Sequence, residues 1–257
     1  MKISIIQYNI KWEDKLSNFR QVEQLLSTIE PDTELVILPE MFTTGFSQDP
    51  EKLYEKPLSS TYEWMSDMAA KGNFGICGSY IVKERNRFFN RWILTSPDRK
   101  VWSYDKRHLF MISGEEKKFT RGNERMIFRF REIRICPNIC YDLRFPVWSR
   151  NRNDYDLLVN SANWPEPRKD VWLTLLKARA IENQCFVAGA NRIGIDGNGI
   201  KYSGDSLIIN PKGEVIASAG KNTECIITAN IFVSELSDFR NKFPVLNDAD
   251  NFTLTSN

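Results

Sequence analysis

Apolar residues along the chain keep two rhythms, and the alternation of the two predicts a layered α/β protein. Leu16, Phe19, Val22, Leu25, Leu26 and Ile29 recur at three- and four-residue spacing, which predicts an amphipathic helix over 14–30 that Pro31 ends. A second helical rhythm covers 60–71. A third covers 170–184, with Trp172, Leu175, Leu176, Ala180 and Ile181 on one side. Between them lie runs of strand length at 2–10, 34–38, 75–82, 88–95, 100–104, 126–130, 133–139, 157–160, 185–190, 205–210, 214–218 and 225–231. The run at 34–38 is continuously apolar, as in strands covered on both faces. Pro211-Lys212-Gly213 makes a turn between two others. No linker, low-complexity tract or repeat interrupts the pattern. One domain is expected over 1–235, with a polar tail at 236–257 that wraps the outside or meets a partner subunit.

Composition narrows the function classes. Of the 257 residues, 42% are hydrophobic and 26% charged, which suits a globular chain with a sizeable core. Lys plus Arg number 35 and Asp plus Glu 33, a net charge of +2. That balance points to neither a nucleic-acid nor a membrane partner. The apolar start, MKISIIQYNI, is too short for a secretory signal, and no run reaches the roughly 18 apolar residues of a membrane span. A cytoplasmic protein is expected. Its five cysteines (Cys77, Cys136, Cys140, Cys185 and Cys225) then read by default as small buried hydrophobes. The single histidine, His108, and the lone close pair Cys136/Cys140 give no zinc pattern.

Three polar residues each follow a buried-looking strand, where α/β proteins place ligands. Glu40, in ILPEMFTTGF, is either a structural carboxylate bonding nearby amides or a catalytic one. Cys140, in NICYDLRFP, is either a core thiol or a nucleophile, and a nucleophile needs a base. That base is either His108 or a carboxylate. Lys106, in YDKRHLF, is either a surface charge or a buried ammonium able to hold an oxyanion, with Arg107 and His108 as competitors.

Together these segments resemble the nitrilase, or carbon–nitrogen hydrolase, superfamily. The resemblance runs from Lys2 to about Ile231. It rests on LPEMFTTGF, YDKRHLF, NICYDLRFP, NSANWP, KARAIENQCFVAGANRIG and YSGDSLIINPKGEVIA, in that order. It implies a four-layer α-β-β-α sandwich and a Glu–Lys–Cys triad at Glu40, Lys106 and Cys140. A second glutamate is implied between the lysine and the cysteine. Glu115, seven residues before Gly122, fits the family's spacing better than Glu116, and His108 is left without a catalytic role. An activated Cys140 is expected to alkylate far faster than the other four cysteines.

Other polar residues have blander readings. Arg179 and Glu182 read as an ion pair, and Asn183 and Asn191 as partners of backbone groups. Arg144 is better explained by a structural ion pair than by a substrate-carboxylate clamp, although it stays a candidate for substrate binding. Tyr141, through its backbone N–H, and Trp164, as a pocket wall or a core residue, are the other candidates.

Within the superfamily, PEMFTTGF, YDKRHLFMISGEEKKF, CYDLRFPVW and NSANWPEPR look most like the omega-amidase branch. That branch implies hydrolysis of the terminal amide of short dicarboxylic monoamides such as 2-oxoglutaramate and 2-oxosuccinamate. Arg144 and Arg168 are the candidates for the distal carboxylate. A homodimer is implied, and no metal or organic cofactor, since thiolate, carboxylate and ammonium supply the chemistry. The alternatives are an N-carbamoyl-amine hydrolase or another aliphatic amidase, a Cys–His hydrolase, and a noncatalytic interaction domain on the same fold.

Overall fold

In the computed structural model, which describes residues 1–254, the two rhythms become two stacked sheets flanked by helices. The strands are β1 (Lys2–Gln7), β2 (Leu35–Ile37), β3 (Gly75–Glu84), β4 (Arg87–Thr95), β5 (Val101–Asp105), β6 (Phe128–Phe130), β7 (Ile133–Ile139), β8 (Leu157–Ala162), β9 (Phe186–Asn191), β10 (Ile193–Ile195), β11 (Lys201–Ser203), β12 (Leu207–Ile209), β13 (Val215–Ser218) and β14 (Cys225–Asn230). The helices are α1 (Lys15–Leu26), α2 (Pro50–Leu53), α3 (Ser60–Gly72), α4 (Lys169–Asn183) and α5 (Val233–Lys242).

One sheet has the order β14-β1-β2-β3-β4-β5 and the other β6-β7-β8-β9-β12-β13. Read in these directions, each sheet pairs its strands antiparallel, parallel, parallel, antiparallel, antiparallel. The two halves thus repeat one topology, although no sequence repeat betrays it.

The period-2 alternation of the central strands decides which layer each residue enters. Ile3, Ile5, Leu35 and Ile37 of the first sheet meet Ile135, Ile139, Leu157, Val159, Ala188 and Ala190 of the second in the core between the sheets. Their neighbours Ile6, Val36 and Ile76 face outward onto Phe19 and Val22 of α1 and Met65 and Ala69 of α3. On the far side, Leu158 and Val187 pack against Trp172, Leu176 and Ala180 of α4. The result is the expected four-layer α-β-β-α sandwich.

Helix boundaries follow local signals. Asp14 caps α1 by accepting from the Ser17 N–H, 3.1 Å away. Two residues of the helical rhythms lie outside the core: Leu16 is 61% exposed and Ile181 55%. Each sits at the margin of its helix's apolar stripe. The tail is not wholly an outer wrap, since α5 drops Leu236 into the core between the sheets. Its last three residues, 255–257, lie outside the described residues. No described helix is long and apolar enough to cross a membrane.

Candidate active site

Three strand ends converge on one cavity. Glu40 lies three residues beyond β2, Lys106 directly after β5, and Cys140 directly after β7. All three line a cavity of about 530 Å³. The chain turns sharply at the thiol: Cys140 has φ +43°, in the left-handed region that non-glycine residues rarely occupy. It opens a short 3-10 turn at Cys140–Arg144.

Glu40 and Lys106 are fully buried, and so is Glu115, which lies behind them and does not line the cavity. Lys106 Nζ donates to Glu40 Oε1 at 2.8 Å and to Glu115 Oε2 and Oε1 at 3.0 and 3.1 Å. Glu116 does not reach the lysine. The loop carrying Glu115 is drawn in at Gly122, whose N–H bonds the Lys106 carbonyl at 2.8 Å. A Cβ there would come 2.1 Å from the Asp105 carbonyl oxygen, so only glycine permits this crossing. The Phe110 N–H, 2.6 Å from Glu115 Oε2, fixes the carboxylate from the other side.

Asn163 ties Glu40 to the thiol. Its backbone N–H donates to Glu40 Oε2 at 2.9 Å, its amide to the Glu40 carbonyl at 2.6 Å, and its own carbonyl faces Cys140 Sγ at 3.8 Å.

Charge decides the resting state. Two buried carboxylates surround one ammonium. Burial alone would push Lys106 down, but Glu115 and Glu40 outweigh it and hold its pKa above the ordinary lysine value. Burial raises the Glu115 carboxyl; Lys106 counters this and Glu40 adds to it. Burial, reinforced by Glu40 and only partly offset by Lys106, pushes the Cys140 thiol well above its ordinary value. Burial first, and the surplus of negative charge second, hold the proton on sulfur in the free protein.

His108 lies apart from this cluster. Its Nδ1 is 2.8 Å from Asp142 Oδ1, its ring stacks on Phe145, and it does not line the cavity. Asp142 also accepts from Tyr104 and the Ile139 N–H, so this network braces the turn that carries Cys140.

Arg144 corrects a sequence expectation. Among the described residues it has no ion pair; its guanidinium lies 5.2 Å over the Trp164 ring and lines the cavity. Arg168 also lines the cavity without an ion pair, 5.4 Å over Phe110. Trp164 satisfies both of its readings: it packs against Trp172, and it walls the cavity. Tyr141 lines the cavity as well. The Arg179–Glu182 pair forms at 2.8 Å, and Asn183 and Asn191 bond backbone groups as expected.

Sequence reasoning missed the far wall. Trp12, Phe46 and the hairpin residue Tyr202 line the cavity, and so does Gln48, whose buried amide has no hydrogen-bond partner. Nothing in a local apolar pattern marks residues that meet only through tertiary structure. Among the described residues, no group of three or more His, Cys, Asp or Glu is placed to hold a metal ion.

The model of the carbon–nitrogen hydrolase family matches residues 2–241. The chain belongs to that family. It is 44% identical over 254 residues to the omega-amidase YafV of Escherichia coli (strain K12), covering 99% of this chain and 98% of the relative. It is 33% identical over 251 residues to the 2-oxoglutaramate amidase of Bacillus subtilis (strain 168), covering 96% of each. Among solved structures it superposes on XC1258 from Xanthomonas campestris with a TM-score of 0.96, 39% identity and 99% coverage of both chains. XC1258 is described as a CN-hydrolase superfamily protein with an arsenic adduct in its active site.

Proposed function

We propose that the protein is an omega-amidase, hydrolysing the terminal amide of a short 2-oxo dicarboxylic monoamide to the acid and ammonia through a thioester on Cys140. One observation carries the substrate class: two guanidiniums without ion pairs, Arg144 and Arg168, line the cavity that holds Cys140. Such groups suit a distal carboxylate. The unpartnered Gln48 amide suits a further polar group, and the aromatic walls suit the short carbon chain. The omega-amidase and 2-oxoglutaramate amidase relatives support the same reading.

In this mechanism Glu40 takes the Cys140 proton as sulfur attacks the amide carbon, so that no free thiolate need accumulate. The resulting oxyanion is held by the Lys106 ammonium and the Tyr141 backbone N–H. Glu40 passes its proton to the nitrogen, the C–N bond breaks, and ammonia leaves. Water gives a proton to the same carboxylate and adds its oxygen to the thioester carbon. The C–S bond then breaks, and sulfur recovers its proton. Glu115 keeps Lys106 oriented and charged throughout.

We assign the assembly as a homodimer, on exposed apolar side chains of α4 (Ile181), the edge strand β13 (Val215 and Ile216) and the residue after α5 (Phe243). The cytoplasm is the proposed location, in keeping with five free cysteines.

The test of the function is ammonia release from 2-oxoglutaramate, run beside N-carbamoyl-β-alanine and a simple nitrile. Selective turnover of the oxo-amide is expected. Preference for the carbamoyl compound would keep the family and replace the substrate, and no turnover of any of the three would remove the amidase reading.

A further inference from the structure

Asn90 was not singled out by its sequence, yet it touches every buried member of the charge cluster. Its Nδ2 donates to Glu40 Oε1 at 2.8 Å and reaches Glu115 Oε1 at 3.5 Å. Its backbone carbonyl accepts from the Lys106 N–H at 3.0 Å, pinning the start of the lysine loop. The side chain is fully buried and does not line the cavity, so it has no direct claim on substrate. Its position is an odd one for an amide. Phe88, Asn90, Trp92 and Leu94 alternate along β4, and the other three are buried apolar residues. The Oδ1 atom is buried with no hydrogen-bond partner. An unpaired buried carbonyl costs about 1–3 kcal/mol, so a purely structural role would favour an apolar residue here.

We propose that Asn90 is a positioning residue, whose two side-chain N–H groups bridge Glu40 and Glu115 and keep both carboxylates turned onto Lys106. The inference rests on the catalytic roles proposed above and extends them to a residue outside the reacting set. Its physical basis is charge. Two carboxylates crowd one ammonium, and Lys106 Nζ already spends its donors on three of their oxygens. Asn90 supplies the neutral donor that eases their mutual repulsion without adding charge. Glu40 thereby stays aimed at the thiol whose proton it takes. Without the bridge, one of the two holds a proton to higher pH, and the base is lost at the acidic end of the working range.

Two variants and two readouts test this. Asn90→Leu removes the donors at similar size. Asn90→Asp keeps the shape but puts a third carboxyl group in place of the donor. The expectation for Asn90→Leu is a kcat about 30-fold lower, with KM within about threefold, as for loss of a bond to a charged group. The acid limb of its kcat/KM profile should move up by about one pH unit. Asn90→Asp should be at least as impaired. Infrared difference spectra should show the buried carboxyl groups of both variants taking up protons at higher pH than in the parent enzyme. That readout needs no substrate, so it judges Asn90 even if the assigned substrate is wrong, and Asn90→Asp keeps the test open if Asn90→Leu does not fold. Parent-like activity and carboxyl titration in Asn90→Leu would overturn the proposal. So would an Asn90→Asp variant more active than Asn90→Leu, because shape alone would then explain the residue.

Discussion

Lys106 shows how the site gives single residues their roles. An ammonium at 1% exposure survives there because two carboxylates hold its charge, and one of them is the proposed base. Lys106→Ala removes the proposed oxyanion donor, and a fall in kcat of about 10²–10³-fold is expected in steady-state assays. The thiol follows the same logic with the opposite sign. Its pKa is raised, so the resting enzyme holds a thiol through neutral pH. Alkylation of Cys140 by iodoacetamide should therefore keep accelerating as pH rises past 7, with no plateau below the ordinary thiol value of 9.0. Fast, pH-independent alkylation from acidic pH upward would mean a preformed thiolate and sink this picture of the site.

The elements were largely legible in the sequence, because buried central strands and two-sided helices write their periods plainly. Strand β7 was read to the residue, and β2 and α4 to within one residue at each end. What escaped were elements that rely on tertiary contacts. The β10–β11 hairpin is too short to show a period, and its Tyr202 walls the cavity. The α5 helix reads as polar because only Leu236 of its ten residues is buried. It is anchored by charge instead: Arg240 bonds Asp156 Oδ1 at 3.1 Å and the carbonyls of Tyr155 and Gln184. Asp156 also pairs with Arg134 at 2.6 Å. Against the cost of burial, these partners hold its carboxyl below the ordinary 3.8. A depressed folded pKa stabilises above the unfolded value and is lost as pH falls through the folded one. Asp156→Asn should thus cost about 1–2 kcal/mol in urea unfolding at pH 7, with the difference from the parent shrinking below about pH 4. An equal loss at every pH would assign the effect to shape.

At the scale of the molecule, the repeated sheet topology explains why the site forms where it does. Glu40 follows the middle strand of one parallel triplet, and Cys140 follows an outer strand of the other; Lys106 and Glu115 come from the far edge of the first sheet. The order of the motifs was readable along the chain, and so were the candidate residues Glu40, Lys106, Cys140 and Glu115. The partners that bind them into one network, Asn90 in β4 and Asn163 just after β8, were not, since an asparagine at such a position announces nothing until its neighbours across the sheets are known. The exposed apolar residues of α4, β13 and the end of α5 carry the proposed dimer contact, and Ile181→Glu should lower the sedimentation coefficient without impairing the fold. An unchanged coefficient would clear that face of the role.

The central claim is a covalent acyl intermediate on Cys140. Acid-quenching the enzyme during turnover of 2-oxoglutaramate and mapping its cysteines by mass spectrometry tests this most directly. The account expects the substrate acyl group on Cys140 alone, and neither adduct nor ammonia from Cys140→Ala. Turnover that persists in Cys140→Ala, or an acyl group on any other residue, would contradict it.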